Sequence, residues 1–453
     1  MLTEQDIDQC LKMLDGIYTL SEPERLERIE KFVKSTLSIT PDIYSPKNLK
    51  YLFSYPDPIG VFADFVSNYI NSNIHTEECS PIFTRCEVEM VETLLPLVGY
   101  PEGDGIFYPG GTLSNLASVF LAVQRAKVNL GQSVILISDH SHYSVEKAAI
   151  ICGIKNIIKV KTTTKGVVDI EHLRELVSQI KADNLNLIYF CCVMGSTTLG
   201  TFDPVEKILE IFQEFAIKPW IHFDAAWGGG VYFSEDAGFY RKLSSLSDSI
   251  VLDFHKFLSA PLLCSVLLVK DKSVLVDEVT ALNGNYLFTS NQNIKYSLSL
   301  KSLQCSREAY AFKLWLMFKH HGLEHFQNLI QKYYENQEEL INKLSDRVLY
   351  VVEPQYFNVG LWFIPKEMEV KETITDYTAA EIDKIDQLNL AIYDQIVKDG
   401  FMKVNSYHFN NLPLFIRIIV HHGNLTTDMI SEIVAYLYKI YESVGSSPCK
   451  SLI

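Results

Sequence analysis

One lysine in this chain stands where a lysine is physically awkward. The segment Ser249 to Lys270 reads SIVLDFHKFLSAPLLCSVLLVK, and its apolar, β-branched runs at 249–254 and 264–269 are of strand type. Lys256 therefore hangs from a strand end near the interior. Burial there without a partner favours the neutral amine, which is the nucleophile of Schiff-base chemistry. The other reading is a solvated lysine on a sheet edge. Asp224 closes a second strand-like run, in PWIHFDAAWGGG, just ahead of glycines that let backbone pass close to a ligand. The 32 residues from Asp224 to Lys256 are the length of one strand-crossover-strand unit. Parallel neighbouring strands could then bring both groups to one edge.

Two further stretches suit ligand binding. DGIFYPGGTLSNLASVFLAVQRAKVN (104–129) carries a Pro-Gly-Gly turn and then a helical pattern. Free N–H groups and the dipole at such a helix start attract an anion, which makes Gly110, Gly111, Thr112, Leu113 and Ser114 a candidate phosphate cradle. A Gly-Gly pair can also be no more than a tight turn. After the strand VILISD, the loop HSHY places His142 at a strand's carboxyl end, where it could touch a ligand. His140 beside it is read as an ordinary loop histidine.

The elements that would position these groups alternate. Strands at 134–139, 185–193, 249–254 and 264–269 and helices between them, over about 104–270, predict a parallel α/β sheet. Asp203 and Pro204 read as the cap and first turn of a helix over 204–216, and 304–322 as one amphipathic helix. Residues 1–38 predict amphipathic helices, and the region after about 345 a smaller α+β domain. At 453 residues, with 47% hydrophobic and 21% charged side chains, the chain suits a soluble globular protein of two or three domains. A net charge of −15 argues against nucleic acid or anionic lipid as partners. Nine cysteines without a CxxC, two of them adjacent at Cys191 and Cys192, predict reduced thiols and a cytoplasmic location. Neither a leader, a membrane span nor a metal site is expected.

The Lys256 segment resembles the pyridoxal phosphate attachment signature of the group II amino acid decarboxylases. Ser249, Ile250, Lys256, Phe257, Leu258, Cys264 and Lys270 occupy its fixed positions, and His255 also matches. The turn resembles PGGxxSN. AAWGG at 225–229, YLF at 286–288 and QCSR at 304–307 with FKLWLM at 312–317 are similar to the glutamate and cysteine-sulfinate branch, as are Asn71, Thr76, Glu78, Pro81 and Phe83 in NSNIHTEECSPIF. Departures are His75 and Glu77 in place of aromatic residues, and Asp253-Phe254-His255-Lys256 where many members read Asn-Pro-His-Lys. The Asp resembles the diaminobutyrate branch.

The resemblance implies an aspartate-aminotransferase-like α/β fold of PLP type I, with a mostly parallel central sheet. It implies an N-terminal helical segment (1–95), a large PLP-binding domain (96–330) and a small C-terminal α+β domain (331–453), in a homodimer with shared active sites. By the same resemblance Lys256 carries pyridoxal 5′-phosphate, Asp224 binds the pyridine nitrogen and His142 stacks on the ring. Ala226, Asp253 and His255 join the cradle around the cofactor, Thr197 contacts its phenolic side or the substrate, Tyr286 protonates Cα, Arg417 meets the α-carboxylate, and Asn73 and His75 lie on the substrate side. The implied activity is decarboxylation of a small, acidic L-amino acid: glutamate, aspartate or cysteine sulfinate. A diaminobutyrate or aromatic amino acid decarboxylase, an aldehyde synthase and a catalytically silent scaffold are the alternatives.

Overall fold

Strand β1 (Asp104–Tyr108) begins a seven-stranded sheet whose other members are β2 (Ser133–Ser138), β3 (Asn156–Val160), β4 (Asn186–Val193), β5 (Trp220–Asp224), β6 (Ser249–Asp253) and β7 (Ser265–Val269). The computed structural model describes residues 3–40, 42–280, 294–344, 346–409 and 412–444. The strand order is β1-β7-β6-β5-β4-β2-β3. Pairs from β6 through β5, β4 and β2 to β3 are parallel, and β7 runs against both β6 and β1. Six strands thus point one way, and the carboxyl ends of β1, β2, β4, β5 and β6 share one edge. The expected mostly parallel α/β sheet is present.

Burial on both faces explains the near-continuous apolar runs, since helices cover the sheet on each side. Every residue of β2, β5, β6 and β7 is buried. The covering helices turn one apolar stripe inward. In Ile170–Ala182 that stripe is Leu173, Val177 and Ile180, and the Asp169 carboxylate caps the helix by accepting the N–H groups of Glu171 and His172 at 3.0 and 3.2 Å. A second, antiparallel sheet follows in the order β10-β11-β9-β8, from β8 (Val348–Tyr350), β9 (Asn358–Phe363), β10 (Asn405–Phe409) and β11 (Leu412–Ile419). Helices Ala379–Asp399 and Thr427–Val444 accompany it, so the C-terminal α+β part is also present.

The chain separates into two compact units, Met1–Ser45 and Pro46–Ile453. The first holds the helices Glu4–Lys12 and Glu22–Ile39, each opened by a capping box. Among the described residues no helix is long and apolar enough to cross a membrane.

Two local expectations differ. Asp203 does not cap the following helix, which spans Val205–Glu214. Its two oxygens instead accept the N–H groups of Val168 (3.0 Å) and Val193 (2.7 Å), tying the end of β4 to the segment before helix Ile170–Ala182, and burial pushes its carboxyl up to about 6. The helix expected over 304–322 begins only at Tyr310, because Arg307 is drawn into a buried ion pair with Glu87.

Candidate active site

Where the parallel strands end, the chain encloses a cavity of about 350 Å³ whose wall includes Gly110, Gly111, Thr112, His142, Thr197, Asp224, Ala226, Asp253, His255 and Lys256. Residues spread over some 150 positions meet there because they end or follow the carboxyl ends of five strands, β1, β2, β4, β5 and β6, the edge at which open α/β sheets bind ligands.

Lys256 lies in the single helical turn Phe254–Phe257 after β6. It is not without a partner: its Nζ sits 2.9 Å from Asp253 Oδ2. The sequence-based picture of an isolated interior amine is corrected here, since the i,i+3 spacing of the turn folds the lysine back over the strand's last residue. Asp224 ends β5 and is 7% exposed. Its Oδ1 accepts the Ala226 N–H (3.2 Å) and its Oδ2 accepts Asn115 Nδ2–H (3.1 Å).

The Pro-Gly-Gly turn opens a helix on the cavity wall. Gly110 adopts φ +94°, a region closed to most side chains, and its carbonyl accepts the N–H groups of Leu113 and Ser114. Gly111 and Thr112, in the first turn of helix Gly111–Ala126, line the cavity, and their N–H groups bond no carbonyl among the described residues. Leu113 and Ser114 stand behind that wall: Leu113 packs into the core and the Ser114 hydroxyl pairs with that of Ser265 at 2.8 Å. A Cβ on Gly111 would come within 2.7 Å of the Asp253 carboxylate.

His142 caps helix Tyr143–Ile151. Its Nδ1 accepts the Ser144 N–H (3.3 Å) and lies 2.7 Å from the Ser144 hydroxyl, so the imidazole proton belongs on Nε2. Burial lowers the affinity of this ring for a second proton, opposed by Asp224. His255 places Nδ1 on the Cys264 backbone and Nε2 3.8 Å from Asp253 Oδ2.

Three further candidates lie off the cavity wall. Arg417, on β11, is 2% exposed; its Nη1 donates to the Thr197 carbonyl (2.8 Å) and its Nη2 to that of Lys50 (2.6 Å). No carboxylate among the described residues pairs with it, and its Nε has no partner. Asn73 bonds Ser306 and the Arg307 N–H, and His75 bonds Ser299 through its carbonyl. Tyr286 lies outside the described residues.

Sequence reasoning missed Asn115, His222 and Ser144. Asn115 Nδ2 donates both to Asp224 and to Ser144 Oγ (2.9 Å), while its Oδ1 lies 3.0 Å from His222 Nε2. Burial lowers His222 to about 4, so the ring is neutral and its one N–H points at Asn115. His222 Nδ1 then accepts from the Ser249 hydroxyl, which in turn accepts Trp220 Nε1–H. One amide thus steadies Asp224 and, through Ser144, His142. The available signal was the spacing: Asn115 is four residues after Gly111, on the same helix face. His140 also lines the cavity, lowered by burial to about 4.

The pattern of the pyridoxal-dependent decarboxylase conserved domain matches residues 17–363. The chain belongs to the pyridoxal-dependent decarboxylase family. This decarboxylase is 29% identical over 430 residues to cysteine sulfinic acid decarboxylase of Homo sapiens, covering 92% of this chain and 86% of the relative. It is 30% identical over 434 residues to an acidic amino acid decarboxylase of Xenopus tropicalis, covering 92% and 83%. Its fold is similar to that of mouse CSAD in apo form, with a TM-score of 0.81 and 24% identity over 96% of this chain and 98% of that one. It is a pyridoxal phosphate-dependent amino acid decarboxylase. The cavity fits that cofactor: its wall combines the Lys256 amine, the first-turn N–H groups of Gly111 and Thr112, and the Asp224 carboxylate. Among the described residues no group of His, Cys, Asp or Glu could hold a metal ion, and the eight cysteines are unpaired.

Proposed function

We propose that the decarboxylase acts on a small acidic L-amino acid (glutamate, aspartate or cysteine sulfinate), releasing CO₂ and the amine. The observation that carries the site assignment is the convergence of Lys256, Asp224 and the Gly111–Thr112 turn on one cavity. The likeness to acidic amino acid decarboxylases over nine-tenths of the chain supports the substrate class. Glu77, which could repel an acidic side chain, is neutralised by Arg85, whose Nη2 lies 2.7 Å from Glu77 Oε1. Asp253, the feature shared with the diaminobutyrate branch, faces the anion cradle and so says little about a substrate side chain.

Bound pyridoxal phosphate supplies an electron-withdrawing ring that accepts the electron pair left when the Cα–carboxylate bond breaks. Lys256 is the attachment point and, by displacing the product, its release group. Asp224 keeps a proton on the pyridine nitrogen, held in place by Asn115 and the Ala226 N–H. The Gly111 and Thr112 N–H groups bind the phosphate, and His142 packs on the ring face. Arg417 borders the cavity through Thr197, and a buried guanidinium without a carboxylate partner suits a substrate's α-carboxylate. Tyr286 delivers the proton to Cα.

The active unit in this reading is a homodimer in the cytoplasm, with the functional division 1–95, 96–330 and 331–453. Helix Pro58–Ile70 exposes Val61, Phe62, Phe65, Tyr69 and Ile70, a face that a second copy would cover. Asn73 and His75, which do not reach the Lys256 cavity of their own chain, would then serve that of the partner.

CO₂ release across a panel of amino acids tests the substrate class. The expected result is a kcat/KM for cysteine sulfinate, aspartate or glutamate roughly tenfold or more above those for diaminobutyrate, tryptophan and tyrosine. A preference for a basic or aromatic substrate would overturn it.

A further inference from the structure

The phosphate end of the cavity already holds an anion. The Asp253 carboxylate ends β6, is 2% exposed, and places Oδ2 and Oδ1 2.7 and 3.0 Å from where a Gly111 Cβ would sit. It therefore faces the same helical turn that presents the free N–H groups. Oδ2 is paired with Lys256, and Oδ1 has no hydrogen-bond partner although it is buried.

The groups around it are Lys256 and His255 from the turn after β6, His142 from the loop after β2, Asp224 from the end of β5, and Cys264 with the Ser265 hydroxyl at the start of β7. Helix Gly111–Ala126 adds its dipole but no titratable side chain there. Burial pushes the Asp253 carboxyl up, but Lys256, His255 and the Ser265 hydroxyl outweigh it and hold the group below its ordinary value. In the ligand-free protein Asp253 is ionised.

A phosphate dianion entering this end upsets the charge balance. With Lys256 committed to the cofactor's aldehyde, roughly half a charge from the helix terminus would face a carboxylate and about two phosphate charges in a site shielded from water. We propose that Asp253 takes up a proton from solvent when pyridoxal phosphate binds, and then holds the phosphate as a neutral carboxyl whose Oδ1–H donates to a phosphate oxygen. This rests on the assignment of the phosphate to the Gly111–Thr112 turn. Because the bound form carries one proton more than the free form, cofactor affinity falls as pH rises above neutrality. A strand-end asparagine would donate its amide N–H without any such dependence.

The test uses the apoprotein titrated with pyridoxal phosphate and with pyridoxal, which has no phosphate, between about pH 7 and 8.5. Binding heats in buffers of different ionisation enthalpy count the protons taken up, and tryptophan fluorescence reports affinity. The wild type is expected to take up about one proton more with pyridoxal phosphate than with pyridoxal, and to lose up to roughly tenfold in affinity per pH unit relative to Asp253→Asn. At the alkaline end the variant should gain affinity for pyridoxal phosphate relative to pyridoxal. Equal proton counts for the two ligands in the wild type, or parallel pH slopes for wild type and variant, would overturn the proposal. If pyridoxal phosphate and pyridoxal bound the wild type equally well at every pH, the phosphate assignment itself would fail, and this proposal with it. The proton count needs only the wild type, so a folding defect in the variant leaves the test intact.

Discussion

Asn115 governs two functional groups with one amide. Its N–H bonds reach Asp224 and Ser144 while its oxygen takes the only proton of a neutral His222. Asn115→Ala removes a buried donor from a carboxylate and strands the His222 N–H. A loss of about 1–3 kcal/mol in apoprotein stability is therefore expected in denaturant titration. Turnover should fall further than stability alone explains: kcat by roughly tenfold or more with KM little changed, because Asp224 is held for the reaction and not for substrate capture. Equal loss in KM alone would place Asn115 at the substrate instead. The network was not legible in the sequence, since its members are separated by 29, 107 and 109 positions and no local pattern marks them. Lys256, by contrast, was legible from its place after an apolar run; its pairing with Asp253 was not, because the helical turn that closes the pair depends on tertiary packing.

Elements, more than single residues, were readable. Apolar runs and turn glycines located β2, β4, β6 and β7 and the helix at 111–126, because burial on both faces imposes a composition that survives in the sequence. What failed was competition between local and distant partners. Asp203 looks like a helix cap, but the N–H groups of Val168 and of Val193 at the end of β4 claim it; Arg307 looks helical, but Glu87 draws it inward. That second pair does structural work at the cavity's margin. Glu87 Oε1 accepts the Phe107 N–H (3.0 Å) and Arg307 Nη2 donates to the Phe107 carbonyl (2.8 Å), so the two charges bond the outer edge of β1 as a neighbouring strand would, three residues before Gly110. Both side chains are fully buried. Arg307→Met should therefore cost about 3–5 kcal/mol, leaving a buried carboxylate uncompensated, while Arg307→Met with Glu87→Gln should be much less unstable. Thermal or urea unfolding of the two variants checks the order; a double variant as unstable as the single one would show that the edge bonds, and not the stranded charge, dominate.

At the scale of the whole molecule, the sheet direction, the site edge and the family agree, while assembly rests on the exposed face of helix Pro58–Ile70 and on the position of Asn73 and His75. If those residues serve the partner's cavity, inactive Lys256→Ala and His75→Ala proteins, mixed under conditions of subunit exchange, should regain up to roughly a quarter of wild-type activity, since half the dimers are mixed and each has one intact site. No recovery is expected if His75 acts within its own chain. In the proposed function the lysine of the turn after β6 carries the cofactor. Incubating the protein with pyridoxal phosphate, reducing with borohydride and mapping the labelled peptide measures this directly. Label on Lys256, absent from Lys256→Ala, is the expected result; label on any other lysine, or an undiminished label in the variant, would contradict the account.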